Sequence, residues 1–400
     1  MKTQKNNPNF ISSETAFLHA SAATARNISA GITHLQSWRK AKLKKTALEI
    51  YDINGTILFY DFDVLQGKDV IGTIRTAANK VVSNPVISFR FGAKKWNHAV
   101  AFKKITTIIK KQYPKYKIAD ALLVCYSYPK IGWLVNIQVS EKEIKRLIYD
   151  VADYSLIPEK QNTDNIEGSY AWSFLDSISS KEKTSRLKRF TKFEKGVKTS
   201  GKEGDLLASV SKLSFEKILL DYKFKFKIKI EKQLQFCTHY SHTESASHHC
   251  FVLHAQQVND YCAVATCQMI LCFHRYYFSQ DEIAPACGYS TGGCPADSSA
   301  GYETMSNNHI LATFDSSPTW EKARDQINLI HPLKSGISGH ARACAGYSNV
   351  WEIFSAIQDK KLYIYDPWPW NSDLKAGGDI YWEDWDSITH TNFIYTELDY

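Results

Sequence analysis

Two stretches of the chain carry opposite patterns of apolar and polar positions. In "DYKFKFKIKIEKQL", Lys223, Lys225, Lys227 and Lys229 alternate with Phe224, Phe226, Ile228 and Ile230. A period of two places all four lysines on one face, which predicts a strand with one wet side. A lysine-rich face also guards an edge strand against wrong pairing. "CAVATCQMILCFHRYY", from Cys262 onward, is apolar almost all round. That pattern predicts a helix buried in a core.

The first half of the chain mixes both periods. Residues 13–45 read as helix, opened by Ser13 with Glu14 in the first turn. "ALEIYDINGTILFYDFDV" gives two strands joined at Asn54-Gly55, a strong hairpin signature. "DVIGTIRTAANKVV" reads as helix and "PVISFRFG" as a short strand. "NHAVAFKKITTIIKKQYP" is an amphipathic helix stopped by Pro114, and "DALLVCYSYPKIGWLVNIQV" is a second hairpin turning at Pro129-Lys130. These elements amount to a self-sufficient α+β domain over residues 1–165.

After the helix headed by Cys262, Ser279 and Glu282 form a capping box opening "SQDEIAPAC". Residues 287–318 are rich in Gly, Ser, Asn and Thr and read as a long surface loop. A helix over 319–330 precedes the strand-like runs "GHARACAGY", "KLYIYDPW", "DIYW" and "THTNFIYTEL". Helices followed by strands make an α+β pattern.

The chain has 400 residues and a net charge of +8. Residues 181–203 hold nine Lys/Arg against three Glu, so this one segment supplies +6 of that charge. A local excess without a recognition motif reads as a solvated connector rather than a nucleic-acid surface. No run approaches the roughly 20 apolar residues of a membrane helix. The first thirty residues carry no apolar export core. Nine cysteines is an odd number, so at least one thiol stays unpaired within the chain. A Cys287–Cys294 disulfide is compatible with the sequence but not required by it. Six of the ten tryptophans fall after residue 319, which predicts an aromatic core or groove there.

The stretch "HAQQVNDYCAVATCQMILCF" concentrates the chemistry. Thiolate is the reactive form of cysteine, and a helix N-terminus favours it. Cys262 heads its helix. Cys267 and Cys272 point away from it at about 100° per residue, which argues against a shared metal site and for small core residues. A nucleophilic cysteine needs a base. His340 in "KSGISGHARACAGY" sits on a strand of small residues with room for an imidazole. Asp366 in "LYIYDPWPW" ends a buried-looking strand and suits the orienting acceptor. An oxyanion donor is also needed, and Gln256 could supply one beside the Cys262 backbone N–H, with Gln257 the alternative.

"QQVNDYCAVATCQMIL", "PLKSGISGHARACAGY" and "YIYDPWPW" resemble the active-site segments of papain-like cysteine peptidases. They are most similar to the branch that holds bacteriocin-processing peptidases and a group of archaeal precursor peptidases. The resemblance covers residues 250–400, and "GGDIYWEDWDSITHTNFIY" also looks like the archaeal tail. Residues 1–165 resemble that group's pro-region. The resemblance implies roles for Gln256 (oxyanion hole), Cys262 (nucleophile), His340 (base) and Asp366 (orienting acid), with no metal and no cofactor. Ala263 departs from the tryptophan many relatives carry after the nucleophile.

The expectation is thus a papain-like two-lobed catalytic domain, a helical lobe plus an antiparallel sheet lobe, over residues 221–400. An α+β inhibitory pro-domain over 1–165 and a basic cleavable linker over 166–220 precede it. The expected partners are a peptide or protein substrate and the chain's own pro-domain, with no nucleic acid and no membrane span. The linker is expected to be unordered and cut between about 181 and 220. A peptidase made with its own pro-domain points to an extracellular site of action, with the cytoplasm as the alternative. Two other readings share the chemistry or the scaffold: an acyl transferase of transglutaminase type, and a binding module on an inactive peptidase fold.

Overall fold

The computed structural model describes residues 7–160, 165–197, 210, 212–221, 228–235, 237–239, 250–352, 357–373 and 376–398. The lysines at 223, 225 and 227, and part of the expected linker (198–209), lie outside the described residues. Lys229 falls in a strand over Ile228–Gln235, which pairs antiparallel with His340–Glu352.

The described chain is mixed α+β. Its dominant feature is one twisted sheet that passes through both halves of the sequence. From one edge the strands run Ile310–Asp315, His390–Leu398, Leu333–Ile337, His340–Glu352, Ile357–Asp366 and Asp379–Asp384. The next strand is Val86–Phe91, joined through Tyr381↔Arg90 and Trp382↔Phe89. The sheet then continues through Asp69–Ala77, Ile57–Gln66, Leu48–Asp52, Lys117–Ser127, Lys130–Gln138, Ile144–Asp150 and Leu156–Ile157.

The hairpins expected at Asn54-Gly55 and Pro129-Lys130 are both present. Gly55 has φ +85°, a backbone shape that glycine adopts without strain. The Ser279–Glu282 capping box has both reciprocal hydrogen bonds. The helix headed by Cys262 runs Cys262–Phe273 and is buried on nearly every side.

Four expectations are corrected. "DVIGTIRTAANKVV" is not helical: Asp69–Ala77 is a strand and only Lys80–Val82 a short 3-10 turn. Its β-branched Val70, Ile71, Thr73, Ile74 and Thr76 favour a pleated surface with strands on both sides. The first helix stops at Ser29, well short of residue 45, and its cap is Ser12, whose hydroxyl accepts from the Thr15 N–H at 3.2 Å. The expected loop 287–318 contains a strand (Gly293–Pro295), a helix (Ser299–Met305) and a second strand (Ile310–Asp315). The described part of the expected linker is ordered: Ser180–Val197 is helical, with Phe190 buried and Arg186 donating to the Ser387 carbonyl at 2.9 Å.

Among the described residues, the larger apolar core runs across both halves, from Ile11 through Trp38 and Phe89 to Trp382 and Tyr395, and a smaller cluster gathers Ile53, Val124, Tyr126, Leu134, Ile148, Ile157 and Ala171. Polar ties cross with the larger core. Arg90 meets Asp379 at 2.6 Å, Asn84 donates to Asp384 at 2.7 Å, and the Trp382 indole donates to the Thr33 carbonyl at 3.2 Å. No helix among the described residues is long and apolar enough to cross a membrane.

Candidate active site

The helix Cys262–Phe273 packs against the strand His340–Glu352, whose neighbour in the sheet is Ile357–Asp366. Cys262 is the first residue of its helix and fully buried. Its thiol takes a hydrogen bond from the backbone of Ala341, the residue after His340. His340 opens its strand, because Gly339 turns the chain at φ +70°. Asp366 closes the neighbouring strand, and Pro367 prevents its continuation.

His340 Nε2 meets Asp366 Oδ1 at 2.7 Å, with both side chains fully buried. The same Asp366 oxygen accepts from the Trp368 N–H at 2.9 Å, and its Oδ2 accepts from the Tyr381 hydroxyl at 2.7 Å. The carboxylate is therefore held from both sides. Burial alone would raise its pKa, but His340 and Arg342 outweigh that and hold it below the ordinary value. With Nε2 committed to Asp366, His340 Nδ1 is buried without a hydrogen-bond partner. That nitrogen is the one free for proton transfer.

Gln256 is fully buried, and Gln257 is not. The Gln256 backbone is pinned to the segment after Asp366: its N–H donates to Pro367 O and its carbonyl accepts from Asn371 N, both at 3.0 Å. Its side-chain Nε2 donates once, to the Val258 carbonyl at 2.9 Å, which leaves a second amide hydrogen. The Gln257 side chain turns outward to Asp281 at 2.6 Å. Of the two glutamines, Gln256 has the inward placement an oxyanion donor requires.

Among the other cysteines, Cys294 stands on the strand paired with Ile166–Gly168, and its thiol is close enough to interact electrostatically with Cys262. Cys267 and Cys287 lie beside Gly301 in the core behind the helix, where a Cβ on Gly301 would sit 2.4 Å from the Cys287 sulfur. Cys287 and Cys294 are both free thiols.

A segment of the chain itself lies against these residues. Ile166–Gly168 forms an antiparallel pair with Gly293–Pro295, in the register Gly168↔Gly293 and Glu167↔Cys294. The Gly168 N–H donates to the carbonyl of Gly339, directly before His340, at 3.3 Å. The approach allows no side chain: a Cβ on Gly168 would lie 1.8 Å from Gly292 O, and one on Gly293 2.1 Å from Glu167 O. Asp260, two residues before Cys262, braces this wall by accepting from the Gly292 N–H at 2.9 Å and the Tyr289 hydroxyl at 3.1 Å.

Residues of the N-terminal half reach the same segments. Lys130 is fully buried, and its ammonium donates to Gly168 O at 2.6 Å and Gly339 O at 3.1 Å. Ser155 accepts from Asn259 at 2.8 Å, and Asp150 accepts from the Trp368 indole at 3.0 Å. The N-terminal half thus touches the segments before Cys262, before His340 and after Asp366.

This cover sets the electrostatics. Burial raises the Cys262 thiol above its ordinary pKa, although Lys130 works in the opposite direction. Burial pushes His340 down to about 4, and Asp366 opposes that shift only in part. Both shifts favour a neutral thiol and a neutral imidazole over a thiolate–imidazolium pair.

Sequence reasoning missed Lys130, Glu167, Lys334 and Asn392, all fully or almost fully buried here. One clue was available: a lysine in "PLKSGISG", between residues suited to a buried strand, has no obvious route to solvent.

Residues 237–390 match the model of the Peptidase_C39 like family. The matched span contains Gln256, Cys262, His340 and Asp366, and it supports a papain-like cysteine peptidase, a hydrolase. A comparison with curated proteins found no match to this chain.

Proposed function

We propose that this protein is a cysteine endopeptidase synthesised in latent form, with residues 221–400 catalytic, 1–165 inhibitory and the activating cut within 166–220. The observation that carries the reading is the His340–Asp366 pair, with His340 Nδ1 buried and unpartnered beside the helix that Cys262 heads.

In the open state His340 Nδ1 accepts the Cys262 proton, and the thiolate attacks a peptide carbonyl. The Cys262 N–H and the spare Gln256 amide hydrogen face the developing oxyanion. His340 then protonates the leaving amine, and water hydrolyses the thioester with His340 again as base. Asp366 fixes the ring throughout and offsets the charge of the imidazolium.

Latency rests on the cover. Residues 166–168 lie against Gly293 and Gly339, and Lys130 holds them there. The test is incubation of the purified chain with reductant, followed by mass measurement and N-terminal sequencing of any fragment. Wild type is expected to convert and to gain activity on added peptide, and Cys262→Ala is expected to do neither. Equal conversion of the two would remove Cys262 from the mechanism. Full activity from an uncut wild-type chain would end the latent-form reading.

A further inference from the structure

Glu167 precedes Gly168 in the strand Ile166–Gly168, and its side chain does not face solvent. It is buried against the paired strands Leu333–Ile337 and His390–Leu398. There its carboxylate meets Lys334 Nζ at 2.7 Å and accepts from Asn392 Nδ2 at 3.2 Å. Lys334 is fully buried, and its other donors go to the Ala296 carbonyl and, at 3.1 Å, to Asn392 Oδ1. The lysine therefore orients the Asn392 amide, with its oxygen toward the ammonium and its NH₂ toward the incoming carboxylate. Gly336 makes the room: a Cβ there would lie 2.2 Å from the Asn392 side chain.

We propose that Lys334 and Asn392 form a subsite for a glutamate side chain, and that the peptidase cuts after the residue following that glutamate. The chain's own Glu167-Gly168 is the first substrate, cut at the Gly168–Ser169 bond. This inference rests on the peptidase reading above.

Lys334 and Asn392 come from paired strands of the sheet, whereas Glu167 arrives on a segment that must leave for any other substrate to bind. Once that segment leaves, a buried ammonium is left without its counter-ion. Removing one partner of a buried pair is strongly unfavourable. A substrate carboxylate restores the pair, whereas an amide or an apolar side chain does not. A site built to pair a buried polar group rejects analogues that lack the partner far more strongly than an apolar pocket rejects a misfit.

Two hydrogen bonds hold Gly168 at the site: its N–H donates to the carbonyl before His340, and its own carbonyl accepts from Lys130, which must release it before attack. The Cys262 thiolate adds to that carbonyl, the C–N bond to Ser169 breaks, and the proton from His340 Nδ1 goes to the Ser169 amine. Water then releases residues 1–168 with a Gly168 carboxylate, and Cys262 regains its thiol.

The test uses the full chain under reductant, with fragments identified by intact mass and N-terminal sequencing. Wild type is expected to yield a fragment beginning at Ser169. Glu167→Gln should slow that cut at least about tenfold, and Glu167→Lys should abolish it. The double variant Glu167→Lys with Lys334→Glu should regain the cut, since the pair is then reversed rather than lost. Far-UV circular dichroism establishes that each variant folds. A second arm needs no variant. The converted wild-type protein is offered peptides that differ only in Glu-Gly, Gln-Gly or Leu-Gly, and at least a tenfold preference for Glu-Gly is expected. If wild type cuts through Cys262 but shows no preference for glutamate in either arm, the subsite is overturned and the peptidase reading stands. If neither wild type nor Cys262→Ala cuts anything, both fall together.

Discussion

Lys130 Nζ lies 3.1 Å from the carbonyl of Gly339, one residue before His340, and the two come from opposite halves of the chain. The same ammonium holds Gly168 O at 2.6 Å. One buried cation thus ties the hairpin of the N-terminal half, the strand Ile166–Gly168 and the turn that leads into His340.

Lys130→Met keeps the length of the side chain and removes its hydrogen bonds. The Gly168 carbonyl loses its ammonium donor, at a cost of about 1–3 kcal/mol, while Gly339 O keeps the Gly168 N–H. The cover should open more often. Alkylation of Cys262 by iodoacetamide, located by peptide mass, should be at least about tenfold faster than in wild type. Unchanged labelling would show that Lys130 does not hold the cover.

Cys262→Ala should abolish peptide hydrolysis. Cys267→Ala should leave activity in place and cost about 1 kcal/mol of stability, the price of a small cavity in a packed core. Denaturant unfolding and a peptide assay on the same preparations separate the two effects.

Asp366→Asn should lower turnover by about two to three orders of magnitude in the converted enzyme, with little change in fold. The amide can still hold the ring, but it no longer offsets the imidazolium. Asp379 and Asp384 behave differently, because they pair with Arg90 and Asn84 of the N-terminal half. Asp379→Ala should leave a buried arginine unpaired and lower stability by about 3 kcal/mol. Turnover losses from Asp379→Ala larger than those from Asp366→Asn would reassign the orienting acid.

Acid should loosen the cover through His340. Its imidazole sits at about 4 when buried, against an ordinary value of 6.5. Between those values the covered state binds fewer protons than an open one. The covered state is therefore fully favoured above about pH 6.5 and loses stability as pH falls toward 4. Asp150, raised by burial to about 6, acts in the opposite sense. It favours the docked state at low pH and withdraws that support as pH rises from its ordinary value of 3.8 to about 6. Hydrogen exchange over residues 165–172, corrected for intrinsic rates, should speed up on acidification in an Asp150→Asn background. A rate independent of pH would remove His340 from control of the cover.

The two fragments should stay together after the cut. The sheet crosses from Val86–Phe91 to Asp379–Asp384, and the core crosses with it. Size-exclusion chromatography of converted protein should give one peak containing both fragments, separable only in denaturant. Separate peaks in native buffer would mean that the shared sheet does not hold the halves once the chain is cut.

Local pattern determined much of this protein. The Asn54-Gly55 and Pro129-Lys130 hairpins, the Ser279–Glu282 capping box and the helix beginning at Cys262 depend on a few adjacent residues, so they are legible in the chain itself. The placing of His340 and Asp366 on strand ends was legible for the same reason, since glycine and proline mark those ends. Tertiary pairing overruled local pattern at Asp69–Ala77, where strands on both sides made a strand of residues that read as helix. Only the folded chain joined Val86–Phe91 to Asp379–Asp384, residues almost three hundred positions apart. It also brought Lys130, Glu167 and Lys334 into one dry site. None of the three carries a local motif. Their roles come from burial and from partners far along the chain, and the linear pattern of a sequence encodes neither directly.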